Sequence, residues 1–217
     1  MDTVLSRALR QFISGPLNQL LVNLGGEDGV EWEKALKRFL RRENPWEAPP
    51  PKSLFEPFGT VAIPAAAEPF VVSDRFVVGT GRGVAVKVSF VGDNFRRLFG
   101  EMTAAAGPEQ LLRYAKLLRR SVDEPIIAEL GGEEAVETSL SIFWALIERQ
   151  PNGERGPLLT DGCANVFYVR DARNVLWAVY VLWSSDGWDV DANEVADPHP
   201  WGGGSQVFSR DPQISAT

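Results

Sequence analysis

Six oxygen-bearing side chains crowd one stretch of the C-terminal third: Asp186, Asp189, Asp191, Asn193, Glu194 and Asp197. Carboxylates at that density are the groups that hold a divalent cation. Asp189-Val190-Asp191-Ala192-Asn193 copies the opening of a calcium-binding loop. Such a loop needs glycine at its sixth position and a bidentate glutamate at its twelfth, and Glu194 and Pro200 stand there instead. The alternation also has a structural cause. With Trp188, Val190 and Ala192 turned to a core, Asp189, Asp191 and Asn193 face water from a half-buried strand. The strand is the reading adopted. A cation site and paired catalytic carboxylates are its alternatives.

The other candidates are weaker. Gly79-Thr80-Gly81-Arg82-Gly83 has the glycine content of a phosphate loop but lacks the following Lys-Ser/Thr, and it leads into a strand rather than a helix. A hairpin turn is expected there, with ligand contact through Arg82 as the alternative. Cys163 could act as a nucleophile only with a base, and His199 is the single histidine. An inert cysteine and a turn histidine are expected instead. Trp144, Trp177, Trp183 and Trp188 fit core positions, whereas Trp46 and Trp201, beside prolines and glycines, are the better candidates for exposed contacts. Arg113, Lys116, Arg119 and Arg120 form the one basic cluster of the body. No serine sits in a nucleophile-elbow pattern. No residue is therefore assigned as catalytic, cofactor-binding or metal-binding, and no cofactor is expected.

Composition narrows the function classes. The 217 residues make one full domain with room for a small appendage. Hydrophobic residues at 44% and charged residues at 24% are globular values, and seven Trp with twelve Phe exclude a wholly disordered chain. One cysteine excludes a disulfide scaffold, and one cysteine with one histidine is too few for a closed zinc site. No apolar run approaches the ~20 residues of a membrane span. Asp2, Arg7 and Arg10 interrupt the N-terminal apolar residues, so no h-region forms and no secretory signal is expected. A cytoplasmic protein is expected. The net charge of −7 opposes nucleic acid and anionic lipid as partners. It is unevenly spread. Residues 1–44 sum to +1 and the remainder to −8, and from Gly156 onward the basic residues are Arg170, Arg173 and Arg210 alone.

The elements that must position these groups follow from periodicity. Helices are expected over 3–14, 16–24 and 28–42, with Pro16 starting the second and Gly25-Gly26 closing it through a positive φ. Four prolines between Pro45 and Pro51 make a stiff linker, whose alternative reading is a docking motif. Strands are expected over 58–63, 70–72, 76–78 and 84–90, followed by a short helix capped by Asp93. Amphipathic helices are expected over 108–122 and 132–150. Strands at 164–170, 175–183, 188–195 and 206–210 end the chain, the Asp186-Gly187 pair turning the second into the third. The expected class is α+β. It comprises a helical leader (1–44), a Pro-rich linker (45–57) and a body (58–217) built as an antiparallel sheet with helices packed on one face.

The third helix and its extension, from Trp32-Glu33-Lys34 to Asn44-Pro45-Trp46, resemble a leader shared by a family of proteins from uncultivated candidate-phylum bacteria. Val91-Gly92-Asp93-Asn94-Phe95, Pro125–Glu133, Leu158–Asp171 and Trp201–Arg210 resemble the recurring body domain of the same family. The resemblance spans nearly the whole chain and implies a modular leader-plus-body layout and no particular activity. Relatives often carry tyrosine after the Asn/Asp-Gly pair where this chain has Cys163, which speaks against a catalytic cysteine. A non-enzymatic binding or interaction module with a protein partner is the expected function. A small enzyme using acidic residues and a divalent cation is the alternative.

Overall fold

The computed structural model describes residues 13–42, 53–66 and 68–211. The chain divides into two compact units, Met1–Pro50 and Pro51–Thr217. In the first, a π-helical turn at Ile13–Leu17 carries Pro16 and runs into α1 (Asn18–Leu24), followed by α2 (Gly29–Leu40). Pro16 therefore sits within a helical turn instead of starting a helix; the wider turn accommodates the missing N–H. Gly25 ends α1 with an ordinary right-handed φ of −89°, not the positive φ expected of it. Neither helix has a buried side chain. The helix expected over 3–14 and the linker prolines lie outside the described residues.

The second unit is built in chain order from β1 (Gly59–Ile63), β2 (Phe70–Val71), α3 (Val72–Arg75), β3 (Val88–Val91), α4 (Asp93–Phe99), β4 (Thr103–Ala104) and β5 (Gln110–Lys116). Then come α5 (Asp123–Leu130), α6 (Glu133–Val136), β6 (Glu137–Thr138), α7 (Leu140–Ile147), β7 (Asn165–Arg170), β8 (Leu176–Trp183), β9 (Trp188–Glu194) and β10 (Gln206–Arg210). The main sheet runs β1-β5-β10-β7-β8-β9-β3, with β6 on β7 beyond the stretch that β10 occupies. The class is α+β, as expected, with two differences of detail. β10/β7, β3/β9 and β6/β7 are parallel, so the sheet is mixed. Helices also cover both faces: α4 and α7 pack with Val61, Phe167, Val179 and Val190, while α5 and α6 pack with Ala115, Val166, Tyr168 and Ala178. Central strands buried on both faces read as continuous apolar runs, as β7 and β8 do. No helix among the described residues is long and apolar enough to cross a membrane.

Tertiary pairing overrides local propensity in two places. The helix expected over 108–122 is strand β5, paired on one edge with β1 and on the other with β10. Its Leu112 enters one core and Ala115 the other, so burial on two faces outweighs a helix-forming composition. The helix expected over 132–150 is broken. Glu137 and Thr138 take the free edge of β7, Thr138 Oγ1 donates to the Tyr168 carbonyl (3.1 Å), and Ser139 caps a new helix by accepting from the Ile142 N–H (3.4 Å). The strand expected over 84–90 forms only from Val88. A register shift between Val88 and Phe90 turns Phe90 outward and Val91 into the core. The strand expected at 76–78 is absent: Phe76 is buried after α3, and Val77 and Val78 are exposed.

The boundary of the body also lies earlier than expected. Leu54 and Phe55, assigned to the linker, are buried against α5 and β5. The Glu129 carboxylate accepts from the Leu54 N–H (2.9 Å) and the Ser53 hydroxyl (2.6 Å).

Candidate functional site

Each residue of the acidic run has a place, and the places differ. Asp189 and Asp191 stand on β9, with Trp188, Val190 and Ala192 buried on the opposite side as the alternation requires. Asp189 Oδ1 accepts from the Ser89 hydroxyl (2.6 Å), which ties β9 to β3. Asp191 Oδ1 accepts from the Ala192 N–H (2.8 Å) and reaches the Phe95 N–H at 3.4 Å. It thus caps α4 from another strand. The helix N-cap is Gly92, not Asp93, and a Cβ there would run into the Asp191 carboxylate. Asp197 accepts from the His199 N–H (2.8 Å) and pairs with its Nδ1 (2.7 Å), and these hydrogen bonds hold its carboxyl below the usual range. Asp186 is exposed at the β8–β9 turn, Asn193 is half-buried on β9, and Glu194 is exposed at its end. Among the described residues, no three His, Cys, Asp or Glu side chains gather where they could hold a metal ion.

The structure does not bring Cys163 and His199 together as a dyad. His199 is engaged by Asp197 and 89% exposed, while the charges that act on the Cys163 thiol are those of Asp161 and Lys116. Burial pushes that thiol up, and the Asp161 carboxylate adds to the shift, so the thiol form is favoured. Cys163 follows Gly162 (φ 86°) in a turn whose N–H donates to Asp161 (3.1 Å). The glycine loop at 79–83 behaves as a turn: Gly79 and Val88 pair across it, and Gly83 takes φ 90°. Arg82 is exposed on it. The basic cluster is divided. Arg113 donates to Ser209 (2.9 Å) and to the Leu130 carbonyl (2.7 Å) and lies over the Phe58 ring, whereas Arg119 and Arg120 are exposed beyond β5.

Trp144, Trp177 and Trp188 are core residues, and Trp183 packs edge-on against Trp188. Trp46 lies outside the described residues. Trp201, expected as an exposed contact, is half-buried instead. Its indole N–H donates to Asp123 Oδ1 (2.7 Å), which also accepts from the Tyr168 hydroxyl (2.7 Å). Burial raises the Asp123 carboxyl against the opposing effect of those two donors, and the Asp197 charge adds a smaller push. Burial likewise raises the Tyr168 phenol. No local pattern joins this cluster: the helix expected over 108–122 stops just short of Asp123, and Tyr168 and Trp201 lie 45 and 78 positions further on. The available signal was Asp123-Glu124-Pro125, acidic residues and a first-turn proline opening a helix.

Further charged groups stand at one end of the sheet, around the β7–β8 turn. Asp171 holds that turn by accepting from the Arg173 and Val175 N–H groups (2.9 Å each) and from the Trp177 indole (3.2 Å). Val175 protrudes beside it, 49% exposed. Two recesses meet at Val175 and Trp177. One, of about 770 Å3, reaches α4 and is lined by Arg97, Leu98, Glu101, Met102 and Arg173. The other, of about 480 Å3, reaches the start of α5 and is lined by Glu124, Glu194, Val195 and Ala196. Among the described residues, Glu101, Glu124 and Glu194 form no ion pair, Arg97 donates to Asn94 (3.0 Å), and the Arg173 charge acts on the Asp171 carboxylate. Both recesses have the volume of ligand-binding clefts. No protein-family model, curated protein or solved structure matches the chain.

Proposed function

We propose that the chain is a non-enzymatic binding module whose body meets a protein partner at the end of the sheet around the β7–β8 turn. One observation carries this reading. The acidic, thiol and imidazole groups best suited to chemistry are hydrogen-bonded within their own fold, whereas the two recesses at the β7–β8 turn carry charged side chains around an exposed valine. An exposed valine between charged rims is the usual anatomy of a protein contact, an apolar centre in a polar border. The leader supplies a second candidate surface, since Leu21, Val22, Val30, Phe39 and Leu40 are exposed on α1 and α2. The resemblance to proteins with a shared leader supports the same modular reading. A cytoplasmic setting suits the free thiol of Cys163.

The test is affinity capture from the native host with the full chain and its Arg97→Glu/Arg173→Glu variant. The wild type retains a specific protein that the variant loses. Equal capture by both removes the sheet end from the contact. Thermal melts run alongside should agree with and without chelator, calcium, magnesium or manganese. A rise of several degrees with one ion supports the cation-using enzyme instead.

A further inference from the structure

We propose that the part of the sheet left uncovered over β8, β9 and β3 docks a basic amphipathic helix of a partner protein. This surface is separate from the β7–β8 end. α5 and α6 cover β10, β7 and the first half of β8, where Val166, Tyr168 and Ala178 are buried. Further along the same face, cross-strand pairing sets Phe90 beside Asp189, Asp189 beside Leu182, and Asp191 beside Tyr180. The Trp201 ring packs edge-on against Tyr180 (5.3 Å). Phe90 is 51% exposed, and the other five side chains are half-buried. The register shift between Val88 and Phe90 is what turns that ring out of the core, and bulges of this kind re-aim side chains at functional surfaces.

Solvated surfaces intersperse both signs of charge and expose few large apolar side chains. This face carries four large apolar side chains and one sign of charge. From Asn174 to Ser209 the sequence holds five Asp or Glu and no lysine or arginine. The cations of adjoining segments belong elsewhere. The Lys87 charge acts on Glu154, Arg96 and Arg97 belong to α4 on the opposite side of the sheet, and Arg119 lies against Gly203, beyond Trp201. Ser89 and backbone N–H groups fix the Asp189 and Asp191 carboxylates, but among the described residues neither has a cation as partner. Burial raises the Tyr180 phenol, and the charges of Asp191 and Asp189 add to it, so both carboxylates bear on that ring. A helix continuing the layer of α5 and α6 lays its apolar stripe on Phe90, Leu182 and Tyr180. Its lysines or arginines then meet Asp189 and Asp191 and can stack on the Tyr180 and Trp201 rings. An acidic segment is repelled, a second copy of this face brings the same carboxylates, and a neutral helix buries both charges without a counter-charge.

Fluorescence anisotropy of a labelled helical peptide of about 18 residues, with leucine along one face and lysine around the rest, titrated with the full chain, tests the proposal. The same peptide with glutamate for lysine is the control. The lysine peptide should bind, with a Kd about tenfold or more higher at high salt than at low salt, and the glutamate peptide should not bind. Phe90→Lys should weaken binding by about tenfold or more, because it removes the ring and sets a cation beside Asp189. Val175→Lys makes the same change of charge at the β7–β8 end and should leave binding unchanged. Circular dichroism and melting temperature show that the variants fold; where Phe90→Lys does not, Phe90→Ser, which removes the ring alone, replaces it and should also weaken binding. A wild type that binds neither peptide, or both equally, overturns the proposal. So does binding indifferent to Phe90, or binding lost on Val175→Lys, which moves the contact to the β7–β8 end. Light scattering that finds two chains together, separated by Phe90→Lys while the lysine peptide stays unbound, overturns it in favour of a second copy.

Discussion

At Asp123, burial and hydrogen bonding pull the carboxyl in opposite directions, and burial wins. The side chain is 1% exposed, and its Oδ1 serves both Tyr168 and Trp201. Because the folded-state pKa is raised above the unfolded value, the neutral form is the one the fold favours. Its contribution to stability is fully present below the unfolded pKa and is lost as pH rises through the folded value. Asn at this position keeps the accepting oxygen without the buried charge. Asp123→Asn should therefore melt at or above the wild type at neutral pH, and the difference should shrink as pH falls toward 4. Asp123→Leu should destabilise by about 1–3 kcal/mol for each donor left unpaired, the Tyr168 hydroxyl and the Trp201 indole. Paired thermal melts across pH 4–8 check both. A constant gap between Asn and Asp over that range contradicts a shifted carboxyl.

At the scale of elements, β5 decides how the sheet is assembled. Among the described residues it alone joins β1 to β10, and its Leu112 and Ala115 enter opposite cores. A strand with both edges paired and both faces covered opens only with much of the molecule. Amide hydrogen exchange should accordingly find residues 111–116 as slow as β7, within about tenfold, and far slower than the exposed residues 119 and 120. Fast exchange through 111–116 would mean that the pairing with β1 and β10 is not the dominant state. The break in the 132–150 segment has the same origin. β10 pairs with Asn165 and Val166 only, which leaves the β7 edge at Tyr168 and Val169 to be taken by Glu137 and Thr138.

For the whole molecule, the boundary of the folded body is an energetic question. Leu54 and Phe55 each bury a large side chain, worth about 1.5–3 kcal/mol apiece, and Glu129 fixes the backbone between them and α5. A chain beginning at Ser53 should keep the melting temperature of the body. One beginning at Phe58 should lose about 3–6 kcal/mol, much of the stability of an ordinary domain. Equal melting of the two truncations would show that the 53–57 segment contributes nothing to the fold.

The amino-acid sequence by itself determined the α+β class, the ranges of β7, β8, β9 and β10, the helical leader, and the strand character of the acidic run. All of these depend on local alternation or on a turn such as Asp186-Gly187, which neighbours in sequence supply. It also determined that Trp188, Val190 and Ala192 face inward, because their period is that of a pleat. Only the tertiary structure decided that 110–116 is a strand and that 137–138 leaves a helix to join a sheet edge, since each needs a partner strand remote in sequence. It alone placed Asp191 on the start of α4 and joined Asp123, Tyr168 and Trp201, residues spread over 78 positions. The recesses at the β7–β8 turn have the same cause. Arg97, Glu124, Arg173 and Glu194 carry no common spacing, and they meet at one sheet end only because α4 and α5 pack on opposite sides of one sheet.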